Sequence, residues 1–216
     1  MMRAVLFDLD GTLLDTLDDL ADSGNAVLLA HGFEAHSVGA YRNFIGDGMG
    51  KLVERIFPSE AVADPDVLEQ RLQEYKQAYQ DRWRNKSKVY DGISELLGKL
   101  SEQGIKTGVL TNKAHAFAVK CVEEYFSDHP WDVVLGQREG VPRKPDAAGA
   151  NDALAEMGVK AEEAIFVGDS SVDMQTAVNA GIKAVGVSWG FRGREELIAN
   201  GASLVIDAPR ELVSLL

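Results

Sequence analysis

The chain has 216 residues, enough to bury a sizeable core as one large domain or a domain with an insert. Its formal charge of −12, from 34 acidic against 22 basic residues, repels phosphate backbones and anionic lipid, and no basic stripe offsets it. Nucleic acid and membrane surfaces are therefore not expected partners. Cys121 is the single cysteine, so a disulfide framework is excluded. It falls in a helical pattern and reads as a buried structural thiol. With no apolar run of membrane length and no signal-peptide pattern ahead of Asp8, the expected location is the cytoplasm.

The chain opens with an apolar run, Ala4-Val5-Leu6-Phe7, that leads straight into Asp8-Leu9-Asp10-Gly11-Thr12. A strand apolar on both faces belongs inside a parallel sheet, and side chains two apart share a side. Asp8 and Asp10 thus leave its C-terminal end aimed at one place, where open parallel sheets bind their ligands. Two adjacent carboxylates repel, which suggests a cation and a divided acid and base task. The competing reading is a hairpin turn at Asp10-Gly11 with Asp8 as a solvated strand end. Leu13-Leu14-Asp15 argues against it, because it does not alternate like a returning strand.

Helical periodicity follows. Leu17, Leu20, Ala21, Val27 and Leu28 make one stripe, and Val67, Leu68, Leu72, Tyr75 and Tyr79 make another after the start signal Asp64-Pro65. Shorter helical pieces over 37–44 and 51–57 join through Gly46-Asp47-Gly48-Met49-Gly50. These glycines follow a helical stretch and lack a βαβ setting, so they are not a dinucleotide fingerprint. Nothing over 17–83 reads as a strand. Residues 16–83 are expected to form an inserted all-helical cap, and residues 1–15 and 84–216 a discontinuous α/β core.

From residue 88 onward strands alternate with helices. Candidate strands cover 105–110, 133–135, 164–167, 184–187 and 203–206, separated by stripes such as Ile93, Leu96, Leu97 and Leu100. That alternation implies βαβ units with right-handed crossovers. The first strand has no partner in the helical insert and must pair far downstream. The expected fold class is α/β, a Rossmann-like parallel sheet with helices on both faces plus an inserted all-helical cap.

Polar residues gather where these strands end. Thr111-Asn112-Lys113 follows Gly108-Val109-Leu110; a hydroxyl and an amide there suit phosphate oxygens, although Asn112 alone reads better as the cap of the helix carrying 116–122. Lys144 lies in Val141-Pro142-Arg143-Lys144-Pro145-Asp146, with Pro145 suited to the first turn of the next helix. A lone loop lysine is ordinarily just solvated. In Gly168-Asp169-Ser170-Ser171-Val172-Asp173 a buried strand again runs into carboxylates, with Asp169 and Asp173 on one side of a helical turn. Carboxylate oxygens are what Mg²⁺ prefers, while the plain alternative is an N-cap Asp169 and an acidic first turn. The four histidines show no metal-ligand spacing, no serine sits in a nucleophile elbow, and Trp83, Trp131 and Trp189 read as packing residues.

Each plain alternative is respectable alone, but all must hold together, in order, along one sheet edge. The opening decapeptide, Thr111, Lys144 and the run from Gly168 to Asp173 together resemble the haloacid dehalogenase-like hydrolase superfamily, in its branch with a helical cap inserted after the first motif. The resemblance implies that Asp8 attacks phosphorus to form an aspartyl-phosphate, and that Asp10 protonates the leaving oxygen and then activates water. It implies Mg²⁺ on Asp8, the Asp10 backbone carbonyl and Asp169, and phosphate contacts from Thr111, Asn112 and Lys144. It further implies that Asp173 supports the metal shell and that Ser170 orients it. A carboxylate meeting a phosphate dianion at ~4 Å faces roughly 8 kcal/mol of repulsion at an effective dielectric near 20, so positive charge is required. The presence of Asp10 argues against the dehalogenases, which lack that residue.

Within the superfamily, Phe44 to Val53, Leu110-Thr111-Asn112-Lys113 and Val187 to Arg192 through Gly201-Ala202 are most similar to the phosphoglycolate phosphatase family. The expected function is that of a Mg²⁺-dependent phosphatase hydrolysing small phosphate monoesters, with 2-phosphoglycolate foremost. Sugar-phosphate phosphatases, β-phosphoglucomutase-like phosphotransferases and pyrophosphatases on the same core are the alternatives. In the cap, Arg42, Lys51 or Arg55 is expected to meet the substrate's carboxylate; the alternative for each is a solvated helix charge. The expected partner is a small phosphorylated metabolite, with the chain a monomer or homodimer.

Overall fold

The computed structural model describes residues 2–216. In chain order its elements are β1 (Ala4–Phe7), β2 (Leu14–Asp15), α1 (Leu17–Ala30), α2 (Val38–Tyr41), α3 (Met49–Ile56), α4 (Pro65–Gln80), β3 (Lys88–Val89), α5 (Ile93–Glu102) and β4 (Lys106–Ala114). Then come α6 (His115–Tyr125), β5 (Val133–Gln137), α7 (Ala148–Met157), β6 (Ala164–Gly168), α8 (Ser171–Asn179), β7 (Lys183–Val187), α9 (Arg194–Ala199) and β8 (Leu204–Ile206). Two compact units result: Met1–Leu14 with Val89–Leu216, and Asp15–Lys88.

In the first unit six strands form one sheet in the order β5-β4-β1-β6-β7-β8, parallel at every pairing. β1 is central because it is apolar on both faces. Ala4 and Leu6 join a core cluster with Leu154 and Met157 of α7 and Met174 of α8, while Phe7 meets the Trp131 ring edge-on at 6.4 Å. Its register runs Ala4↔Lys106 to Phe7↔Val109 on one side and Ala4↔Ala164 to Phe7↔Val167 on the other. The chain therefore leaves β1 for β4 on one flank and later returns to β6 on the other, and that reversal opens a crevice at the C-terminal end of β1. The α/β fold class expected from the sequence is the one observed.

Three local expectations are corrected. β4 does not stop at Leu110 but continues through Ala114, with its register against β5 shifting between those residues. α6 begins at His115 with Ala114 at its cap and no capping side chain, so Asn112 does not cap it. α7 begins at Ala148 rather than at Pro145; the Lys144–Pro145 peptide is cis, and the Asp146 carboxylate accepts the Ala148 N–H at 2.8 Å.

The second unit is helical. Its core is built on Tyr41, Tyr75 and Tyr79, none of them exposed, with the last two stacked at 6.3 Å. Gly24 makes room for Tyr41, since a Cβ there would lie 2.3 Å from its hydroxyl, and that hydroxyl donates to Asn25 Oδ1 at 3.0 Å. Buried Asp19 accepts the N–H groups of Lys86 and Ser87 and the Ser87 hydroxyl, fixing the end of the unit to the start of α1. Among the described residues, no helix is long and apolar enough to cross a membrane.

Candidate active site

The site is assembled from the ends of five strands, β1, β4, β5, β6 and β7. After β1 the chain turns tightly: the N–H groups of Leu13 and Leu14 both reach the Leu9 carbonyl at 3.0 Å, and Gly11 donates to the Leu14 carbonyl at 2.8 Å. Gly11 has φ +89°, and a Cβ on it would stand 2.3 Å from an Asp169 oxygen, so glycine is required on both counts. Asp169, at the end of β6, accepts the Thr12 hydroxyl at 3.1 Å on one oxygen and the Phe191 N–H at 2.8 Å on the other. Trp189 Nε1 donates to the Thr12 carbonyl at 3.1 Å. The loops after β1, β6 and β7 are thereby locked around one carboxylate.

Lys144 reaches the same place from the loop after β5. Far from being solvated, it is buried, and its ammonium stands 2.9 Å from Asp8 Oδ1 and 2.6 Å from Asp173 Oδ1 and donates to the Leu110 carbonyl at 3.0 Å. Its main chain is held by Asn112, which accepts the Lys144 N–H at 2.9 Å and donates to its carbonyl at 3.1 Å. Asn112 is thus a clamp on the Lys144 segment. Ser170, not Asp169, caps α8, and its hydroxyl and N–H both donate to Asp173 Oδ2, at 2.6 and 3.0 Å. Thr111 is buried beside them, its hydroxyl accepting the Lys113 N–H at 3.3 Å.

Electrostatics single out this cluster. Burial, reinforced by Asp173, pushes the Asp8 carboxyl up to about 6 despite the neighbouring Lys144. Asp169 is raised as well, by burial first and then by Asp173 and Asp8. Burial alone would lower the Lys144 ammonium, but Asp173 and Asp8 outweigh it and hold the group charged. Oxygens of Asp8, Asp169 and Asp173 all lie within 4.8 Å of one another. Three carboxylates against one ammonium leave two negative charges uncompensated, which is the charge of a divalent cation. Asp8 Oδ1 is buried against the Lys144 ammonium at 2.9 Å, and a carboxylate oxygen with that contact still keeps a lone pair for a cation. An all-oxygen donor set of this kind fits Mg²⁺. Asp8 and Asp169 are the side chains suited to hold it, because Asp173 is fully buried with the Lys144 ammonium on one oxygen and two Ser170 donors on the other, whereas each Asp169 oxygen meets a single neutral donor.

Sequence reasoning passed over Lys113. Its side chain is 2% exposed, and its ammonium lies 3.0 Å from each oxygen of Asp10. The only signal was its adjacency to Thr111 and Asn112. In the helical unit, Arg55 bonds the Phe44 carbonyl at 3.1 Å and pairs with Asp47, bracing the turn ahead of α3. Lys51 pairs with Glu54 along its own helix, and Arg42 is exposed. Cys121 is buried on α6, and burial pushes its thiol up to about 11, as suits a structural residue.

A parallel sheet that delivers buried carboxylates and a lysine to its C-terminal edge suits a hydrolase acting on phosphate esters. The chain belongs to the haloacid dehalogenase-like hydrolase family, whose model matches residues 5–187, and it is an enzyme of the phosphatase kind. It is 35% identical to a phosphoglycolate phosphatase of Rhodospirillum rubrum over 96% of this chain and 88% of that one. It is also 32% identical to an N-acetylmuramic acid 6-phosphate phosphatase of Pseudomonas aeruginosa, over 100% of this chain and 95% of that one. Among solved structures, a predicted phosphoglycolate phosphatase from Haemophilus somnus superposes with a TM-score of 0.91 at 25% identity, covering 99% of this chain and 97% of the other.

Proposed function

We propose that the protein is a Mg²⁺-dependent phosphatase of small phosphate monoesters, with 2-phosphoglycolate as its substrate, working through a phosphorylated Asp8. The observation that carries this reading is the buried cluster of Asp8, Asp169 and Asp173 facing Lys144. In the first step a carboxylate oxygen of Asp8 bonds to phosphorus while the ester oxygen leaves, taking a proton from Asp10. In the second, Asp10 takes a proton from water, the resulting hydroxide attacks phosphorus, and Asp8 departs as carboxylate with release of inorganic phosphate. Thr111, Asn112 and Lys144 hold the phosphoryl oxygens, Asn112 also by fixing Lys144. Ser170 and Asp173 keep Lys144 and the metal ligands in place. Mg²⁺ held by Asp8, the Asp10 carbonyl and Asp169 would supply the charge that lets a carboxylate approach a phosphate dianion.

A core of this kind handles only the phosphoryl group, so selectivity is assigned to the helical cap over 16–83. Arg42, Lys51 and Arg55 are its candidates for the substrate's carboxylate. A sugar-phosphate reading is favoured by the relative that acts on N-acetylmuramic acid 6-phosphate. Both named relatives act on phosphorylated acids, and kcat/KM measured on phosphoglycolate, N-acetylmuramic acid 6-phosphate and a plain hexose 6-phosphate separates the readings.

The mechanism is tested by trapping. Radiolabelled substrate quenched in acid should leave a hydroxylamine-labile label on the wild type and none on Asp8→Asn, which should keep its fold. A labelled Asp8→Asn protein would refute the assignment.

A further inference from the structure

A lysine at a strand end ordinarily lifts its ammonium into water. Lys113 does the opposite. It lies within β4, yet its side chain is 2% exposed and its ammonium is 3.0 Å from both oxygens of Asp10, whose own side chain is 14% exposed. Lys144 meanwhile faces Asp8 and Asp173. The two buried ammonium groups thus serve different carboxylates from different strand ends. Lys113 is also tied to the site through its main chain, by the N–H it donates to the Thr111 hydroxyl at 3.3 Å.

Two steps ask the same Asp10 carboxyl to be in place at two moments, first beside a leaving oxygen and then beside water. An aspartate at a strand end has several rotamers open to it, and contact with both oxygens selects one. We propose that Lys113 is a positioning residue for Asp10, holding its carboxylate where it serves each proton transfer in turn. This rests on the two-step reading given above. Lys113 forms and breaks no covalent bond and keeps its protons throughout; the transferred proton moves between Asp10 and the ester or water oxygen.

The test compares Lys113→Met, which keeps most of the length but removes the charge, with Lys113→Arg, which restores donors. Each is followed by rapid quench with saturating Mg²⁺ on p-nitrophenyl phosphate, whose leaving group needs no proton, and on phosphoglycolate, whose leaving group does. With the aryl ester, Lys113→Met should label Asp8 within about threefold of the wild-type rate and then hydrolyse the aspartyl-phosphate about ten- to a hundredfold more slowly, so that a burst of nitrophenol appears and labelled enzyme accumulates. With phosphoglycolate both steps should slow, and Lys113→Arg should recover most of the loss. In an Asp10→Asn background, adding Lys113→Met should cost less than about twofold more, because the two side chains act as one unit. Equal slowing of both steps on the aryl ester, or a full additive loss in the double variant, would make the pair a structural ion pair and overturn the proposal. Should Lys113→Met not fold, Lys113→Gln, which keeps an amide NH2 but no charge, carries the same comparison. A wild type that never carries the label overturns the aspartyl-phosphate reading itself, and this proposal with it.

Discussion

The Asn112 amide gives one donor and one acceptor to the main chain of Lys144, 32 residues downstream, and both bonded groups are buried. Asn112→Ala leaves that N–H and carbonyl without partners, at a cost of about 1–3 kcal/mol, and frees Lys144 to drift from Asp8. The expected result is a lower urea midpoint together with kcat reduced tenfold or more. If the amide acted only on phosphate, KM would rise and the midpoint would stay. Gly190 makes a sharper case: a Cβ there would stand 2.2 Å from Asp169 Cβ and 2.5 Å from the Gly11 carbonyl oxygen, and neither can swing away. Gly190→Ala is expected to destabilise the protein by about 2 kcal/mol or more and to remove its response to Mg²⁺. Gly98, in the exposed middle of α5 with open space around it, is the control; Gly98→Ala should stabilise by about 0.5–1 kcal/mol. Thermal melts of the two variants with and without Mg²⁺ check both expectations.

At the scale of elements, what was legible followed from burial. The apolar strands over 133–135, 164–167 and 184–187 stand within β5, β6 and β7, because a strand covered on both faces has to be written in apolar residues. The end of β4 was not legible for the same reason. Its last residues turn toward the site, so they are polar, and an apolar pattern stops at Leu110 while the backbone runs on to Ala114. Asn112 and Ser170 illustrate the limit of local reasoning. Either Asn112 or Asp169 would make a sound helix cap, yet Asn112 is drawn to Lys144 and the capping at α8 falls to Ser170 with Asp173. Of the site itself, Asp8, Asp169 and Asp173 could be placed on one sheet edge from strand ends alone, whereas Lys144, in a loop where a lone lysine reads as solvated, entered only through the family resemblance. The Lys113–Asp10 contact could not, since it joins side chains 103 positions apart.

For the whole molecule the governing quantity is charge. The chain carries −12, and its site adds buried carboxylates that burial and their own repulsion hold well above the ordinary range, Asp8 near 6 and Asp169 also raised. A carboxyl whose pKa is higher folded than unfolded binds its proton more tightly in the native state. Its stabilising contribution is complete below the unfolded pKa and is lost as pH climbs through the folded one. For Asp8 that window runs from about 4 to about 6, with Asp169 acting in the same direction, so the metal-free protein loses stability on the way to neutrality. A divalent cation reverses the sign, since it binds the ionised forms. The rise in Tm produced by Mg²⁺ over an EDTA control should therefore be larger at about pH 7.5 than at about pH 5. Asp8→Asn removes one of the three repelling charges. It should melt higher than the wild type in EDTA at neutral pH while losing most of the Mg²⁺-induced rise, a site that is stabler because it no longer works. An equal Mg²⁺ effect at both pH values, or an undiminished one in Asp8→Asn, would mean that the cation does not bind at this cluster.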